Sequence, residues 1–323
     1  MTREFLERHQ VWLYLAAIAA GLWLGTTAPA VAPVFERVLW PVLGLLLYAT
    51  FTQVPLVHLP VALRDRRFMA AVLTGNFLLV PLLVWVLLAL APADPAVRLG
   101  ILMVLLVPCT DWFITFTHLA RGDTGRAIAV TPIVLLVQIT LLPLYLWLFM
   151  GRSFAEIMAA ERVLTVFLTL IVLPLFAAWL TERWVEQRPE RAVLTERLAW
   201  LPVPLLAAVV FLIAAAQVTA VIEALPVLDR VFLVFLLYLI GAPVIALVLA
   251  RLARLAPKPS RTLVFSLGSR NSFVVLPLAL ALPQAWQTAV VVIVMQSLVE
   301  LFGMIAYLWA VPRWLAGERR TGR

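Results

Sequence analysis

"PCTDWF" at 108–113 interrupts one apolar run, and "GSRNSF" at 268–273 interrupts another far down the chain. Each puts a helix-weakening residue beside hydroxyl, amide or charged side chains, where the flanking sequence is almost wholly apolar. A membrane-embedded helix tolerates such a break only where protein or a water-filled cavity satisfies the freed backbone. How these two stretches are read decides whether the chain is a bundle of plain spans or a membrane protein built around a polar centre.

Composition sets the frame. The 323 residues are 64% hydrophobic and 13% charged, with a mean hydropathy of +1.04. Soluble globular domains do not reach these values. A helix needs roughly 20 apolar residues to cross the hydrocarbon core. Ten such runs are read, at 11–28, 37–58, 68–91, 99–118, 127–150, 162–181, 200–222, 230–250, 262–282 and 285–312. None alternates with the period of two that a β-barrel strand requires. The expected class is an all-α, multi-pass integral membrane protein.

Basic residues predict its orientation. One set of connections holds Arg3 and Arg8, Arg64 to Arg67, Arg121 and Arg126, Arg183 to Arg197, Arg251 to Arg261 and Arg313 to Arg323. The other set holds only Arg37, Arg98, Arg152, Arg162 and Arg230. Lys and Arg are retained on the cytoplasmic side, so both termini are predicted to be cytoplasmic, in a cytoplasmic (inner) membrane. The formal charge of +8 is then a topology signal, and no nucleic-acid partner is expected. A cleavable signal ending near "APAVA" at 28–32 is the lesser reading, because Glu4 and Glu7 precede the apolar stretch. A single cysteine excludes an intramolecular disulfide and a cysteine-based zinc cluster. The chain shows no phosphate loop, metalloprotease motif or hydrolase triad, so it is not expected to be an enzyme. Its expected partners are a small-molecule solute and the lipid bilayer, and the sequence carries no signal for oligomeric state.

The charged linker "ERWVEQRPERAVLTER" at 182–197 divides the spans five and five. An odd number of spans per half inverts the second half relative to the first. The prediction is a single transmembrane transporter domain, 1–323, with inverted repeats at about 11–150 and 162–312. The breaks fall in the fourth and ninth spans, and aligning Phe113 with Phe273 sets Asp111 opposite Asn271. Polar breaks at matching places in two halves are the best sequence pointer to a transport site.

Ionisable groups inside spans cost roughly 2.5–3.5 kcal/mol each on insertion scales, so each needs a partner or a purpose. Glu300 follows Gln296 by one helical turn and shares its face. A carboxylate there can carry a proton or, ionised, coordinate a small cation, which makes Glu300 and Gln296 the candidate ion-coupling pair. Asp111 and Arg270 either neutralise each other across crossed breaks, or Arg270 offers its planar fork to an anionic solute. Cys109 is either a small buried hydrophobe or a soft ligand at a helix break. Cys109, Asp111, Arg270 and Asn271 form the candidate solute-binding set. Gln53, Asn76 and Gln217 with Glu223 either line a pathway or join helices. No cofactor is expected; coupling is to protons or, alternatively, to sodium.

The residues also carry a resemblance. "CTDWFITFTHLARGD" at 109–123, "VQITLLPLYLWLF" at 137–149, "NSF" at 271–273 and "QSLVELFG" at 296–303 resemble the arsenite permeases of arsenical resistance, within the bile acid/sodium symporter superfamily. The resemblance implies ten helices in two inverted repeats, helices four and nine broken and crossing. It also implies a core body rocking against a panel of spans one, two, six and seven. It implies arsenite efflux by proton exchange, with antimonite a further substrate. Cys109 would be the arsenite contact, no resident metal being implied, and Glu300 the coupling carboxylate. The alternative within the superfamily is sodium-coupled symport of an organic anion, with Arg270 facing its carboxylate or sulfonate. Two departures stand out. Pro108 occupies the place of the family's arginine before the cysteine, and Asn271–Val274 replaces an Asn-Asn-Phe-Glu run.

Overall fold

A computed structural model describes residues 3–54, 65–151 and 165–315. The chain is an all-α integral membrane protein, with no strand among the described residues. Its helices are α1 (Arg3–Thr27), α2 (Ala32–Phe51) and α3 (Arg66–Leu87, with a π-helical turn at Gly75–Leu79). The first break separates α4 (Pro95–Leu105) from α5 (Trp112–Leu119), and α6 (Thr124–Met150) follows. Next come α7 (Phe167–Glu186), α8 (Pro202–Ala216) and α9 (Leu228–Leu252). The second break separates α10 (Pro257–Gly268) from α11 (Ser272–Leu280), and α12 (Thr288–Trp314) ends the described chain.

Among the described residues, eight helices are long and apolar enough to cross a membrane. They correspond to every expected span except the fourth and ninth, which are each divided into two short helices. The divisions fall where the polar stretches stood in the sequence. The expected span at 200–222 is also cut, because the helix ends at Ala216 and a short one, Val218–Ala224, begins after Gln217. Parts of the sequence reading lie outside the described residues: span positions 55–58 and 162–164, and Arg64, Arg152, Arg162, Arg319, Arg320 and Arg323.

Three spans begin at an aspartate for the same local reason. Asp65, Asp94 and Asp123 each accept the amide three residues on, from Phe68 at 3.1 Å, Val97 at 2.9 Å and Arg126 at 3.0 Å. Such caps satisfy one of the amides that a helix start leaves orphaned. The Arg126 guanidinium also pairs with Asp65, at 2.7 Å, and with Asp123, which ties the starts of α3 and α6 together. This accounts structurally for the "LARGD" turn. Arg121 turns the chain at a positive φ of 56°, and a Cβ on Gly122 would come within 2.7 Å of the Thr117 side chain.

The helices fall into two groups. α1 packs on α8, and α2 packs on both α8 and α7. The remaining helices cluster around α10 and α12, with α4 against α12, α9 against α10, and α3 against α9. Close approach of α1 and α8 depends on "GLWLG" at 21–25, a small-xxx-small pattern. A Cβ on Gly21 would stand 2.4 Å from the Phe211 carbonyl oxygen, and one on Gly25 would stand 2.4 Å from that of Ala215.

Gly25→Val therefore has no room to relax against backbone, and overpacking costs about 1–3 kcal/mol. Thermal melting in detergent should show a clear loss of stability, with a smaller loss for Gly25→Ala. A second expectation concerns acid. The Phe68 amide, with Arg126 adding to it, holds the Asp65 carboxyl below its ordinary value. Its contribution is present above the unfolded pKa of about 4 and is lost as pH falls through the lower folded value. Asp65→Asn keeps a capping oxygen but not the charge, so its melting temperature should be the less acid-sensitive of the two in that window.

Candidate functional site

The two breaks cross and bond to each other. Pro108 has no N–H to continue α4, and Ser269, with φ −100° and ψ 143°, leaves α10 in an extended conformation. The Asn271 amide donates to the Val107 carbonyl at 2.8 Å, and the Cys109 amide donates to the Ser269 carbonyl at 3.2 Å. These bonds make Pro108 and Arg270 an antiparallel bridge. Backbone freed by one break is satisfied by the other.

Asp111 and Asn271, aligned through their phenylalanines, occupy the same structural position: each is the N-cap of the second half-helix, α5 or α11. They use it differently. The Asn271 side chain accepts from the Val274 amide at 3.2 Å and donates to the Thr110 hydroxyl at 3.1 Å. Buried and committed on both atoms, Asn271 does not reach the cavity described below. The Asp111 side chain makes no capping bond and instead accepts from the Cys109 thiol at 2.9 Å.

Cys109 is 2% exposed and lies behind Asp111. Asp111 itself lines a cavity of about 260 Å³, with Gln10, Thr50, Gln53, Trp112 and Thr115 among the other walls. The cavity sits at the end of the bundle where α1 and α8 begin and α2 finishes, and among the described residues no basic side chain lines it. It lies between the two helix groups, and there Tyr14 of α1 stacks on Trp112 of α5 with ring centres 6.4 Å apart. Trp112 in turn meets Phe273 of α11 edge-on at 5.2 Å. On the other half of the crossing, α11 is buried throughout and packs on α2 and the start of α7.

The expected pairing of Arg270 with Asp111 is not what the structure shows. Its guanidinium pairs with neither Asp111 nor Glu300 and does not line the cavity. It turns back along α10 to the Ser266 carbonyl at 3.0 Å and the Leu267 carbonyl at 2.8 Å. It also reaches Asn76 Oδ1 at 2.7 Å and the Leu105 carbonyl at 3.3 Å. The Tyr238 ring lies 5.5 Å beneath it, and the Tyr238 hydroxyl donates to the same Leu267 carbonyl. The physical reason is the orphaned carbonyls of two helix C-termini, which stand within hydrogen-bond reach of the guanidinium.

Glu300 and Gln296 are joined as their spacing suggests, Gln296 Nε2 donating to Glu300 Oε2 at 2.6 Å. That oxygen also accepts the Arg270 amide at 3.0 Å, whereas Oε1 is buried without a partner. Gln296 Oε1 accepts from Ser272 in the first turn of α11 at 2.7 Å. Glu300 thus touches the second break from both sides. Tyr238 and Ser266 were not singled out in the sequence, where each looks like an ordinary polar residue in an apolar run; Ser272 stood within the second break but was given no role. Asn76 was visible as a buried amide, but its partner was not.

The geometry makes the lone thiol a testable marker. Maleimide should label Cys109 slowly in the folded protein and rapidly after denaturation. Asp111→Ala, which removes the side chain in front of the sulfur, should speed labelling of the folded form. Rapid labelling of the unaltered fold would contradict the burial.

Paired helix breaks buried at the centre of an apolar bundle, beside a cavity that holds a carboxylate, are an arrangement found in membrane transporters. Residues 40–224, more than half of the chain, match the Sodium Bile acid symporter family, and the chain belongs to that family. The matched stretch includes the first break and ends before the second. Comparison with curated proteins finds no match.

Proposed function

We propose that the protein is a secondary carrier that expels arsenite, and antimonite with it, across the cytoplasmic membrane in exchange for protons, conferring arsenical resistance. The observation that carries this reading is the cavity in front of Asp111. At about 260 Å³ it falls below the roughly 300–1,000 Å³ of sites for drug-sized ligands, which favours a small solute. Among the described residues its walls hold the Asp111 carboxylate and no basic group, which disfavours an anion. Arsenite near neutral pH is small, uncharged and thiophilic.

The Cys109–Asp111 pair supplies the chemistry. Asp111 accepts the thiol's hydrogen bond and is placed to take its proton as the sulfur replaces one hydroxyl on arsenic. The proton leaves with that hydroxyl as water, so one S–H and one As–O bond break while one As–S and one O–H bond form. A single sulfur contact is reversible, as a carrier requires. Glu300 carries the counter-proton in this reading, and its unpartnered oxygen is the position for it. Through Gln296 and Ser272, and through the Arg270 amide, its charge acts on the second break, which is hydrogen-bonded to the first. The panel of α1, α2, α7 and α8 rocks against the rest within one domain, 1–323, built from inverted repeats at about 11–150 and 162–312. Support for the repeat is that α1 against α8 and α7 against α2 are exchanged by it. Both termini are assigned to the cytoplasm from the arginine distribution.

The family name supplies a second reading, sodium-coupled uptake of an organic anion. Arg270 would be its anion contact, and the engagement of that guanidinium with carbonyls weighs against it.

Proteoliposomes separate the two. Arsenite flux should follow an imposed pH gradient, fall at least about tenfold in Cys109→Ser, the loss of one strong contact, and lose its pH response in Glu300→Gln. Full flux from a well-expressed Cys109→Ser would remove the thiol role. Sodium-driven uptake of an organic anion without arsenite flux would establish the second reading.

A further inference from the structure

The family name implies sodium, and the crossing is where electrostatics would place it. Helix C-termini carry partial negative charge on carbonyls that no helical bond uses. In broken-helix carriers, such carbonyls hold the coupling cation. Two of these ends, of α4 and α10, meet here.

The residues do not fit a sodium ion, because a cation already stands there. Arg270 is 2% exposed. Its Nη1 donates to the Leu105 carbonyl at 3.3 Å, and its Nη2 reaches the Ser266 and Leu267 carbonyls at 3.0 and 2.8 Å and Asn76 Oδ1 at 2.7 Å. Only Nε lacks a partner. Every ligand is an uncharged oxygen, with the face of Tyr238 below. This is the donor set of an alkali-cation site. A buried arginine is ordinarily hydrogen-bonded to a carboxylate; here the guanidinium bonds only neutral oxygens, and the Glu300 carboxylate meets the residue at its backbone amide.

We infer that Arg270 is a tethered, permanent cation at the crossing, and that it makes this member of a sodium symporter family independent of sodium. Arginine keeps its charge at every pH a cell meets. A sodium ion brought to the same oxygens would meet that charge at bonding distance. Asn76 is part of the device. Its Nδ2 donates to the Val72 carbonyl and the Ser266 hydroxyl, both at 3.1 Å, which aims Oδ1 at the guanidinium. The π-helical turn that begins at Gly75 brings this asparagine in. Trimming Arg270 should uncover the oxygens and turn them into a site for a free monovalent cation.

The inference deepens the proton-exchange reading, but its test needs no transported solute, so the two can fail separately. Radioactive sodium binding and thermal melting are measured on purified full-length protein in detergent, with choline as the control cation. The wild type should show no saturable sodium binding and no sodium-dependent shift in melting temperature. Arg270→Ala should melt lower, and millimolar sodium or guanidinium, but not choline, should raise its melting temperature. Saturable sodium binding by the wild type would overturn the inference, as would a folded Arg270→Ala that ignores both cations. Should that variant fail to fold, the wild-type titration decides alone: no binding supports the tethered cation, and saturable binding refutes it. Arsenite flux, present or absent, bears only on the choice of solute.

Discussion

No water reaches the middle of a bilayer to complete the hydrogen bonding of an unwound backbone, so a broken helix there must be completed by protein. In this molecule each break completes the other. The exchange of amide and carbonyl between Val107 and Asn271, and between Cys109 and Ser269, holds two stretches far apart in sequence at one point. Everything chemical in the centre is placed by that contact. Asp111 stands at the head of α5 because α4 ends at the crossing, and the Arg270 amide meets Glu300 because α10 ends there too. A change in one break is therefore felt in the other, which is the mechanical property a carrier needs from its centre.

The crossing also gathers four half-helix ends, and their charges are met in different ways. The carbonyl ends of α4 and α10 share one guanidinium. At the amide ends, α11 receives the neutral cap of Asn271, while α5 receives an aspartate whose carboxylate is left for the thiol. The asymmetry follows the opening of the molecule. The α5 side faces a cavity between the helix groups, and the α11 side is sealed against α2 and α7. A carboxylate bonded to a thiol lines that cavity, and an amide locked into a cap does not.

Much of this was legible beforehand because polar groups are conspicuous in an apolar chain. The breaks at 108–113 and 268–273 could be read from their cost in lipid, and the Asp111–Asn271 correspondence from two phenylalanines. The Gln296–Glu300 bond could be read from helical periodicity alone. Arg270 was misplaced for an equally physical reason. Charge complementarity in sequence suggests a carboxylate partner, and the field of carbonyls that captures the guanidinium belongs to no side chain. Cys109 was visible as a thiol at a break, but its concealment behind Asp111 depends on a rotamer and on packing.

By itself the sequence determined the class, the positions of the spans and the two places where helix must give way. Hydropathy, proline and the cost of burying polar groups are local properties that the chain carries wherever it goes. Tertiary structure decided what those places do. It joined the breaks, closed Asn271 into a cap, opened Asp111 to a cavity and turned Arg270 onto the ends of two helices. Each of these depends on which distant atoms share a few ångströms of low-dielectric interior. There a hydrogen bond or a charge acts far more strongly than in water, and no reading of neighbours along the chain contains that information.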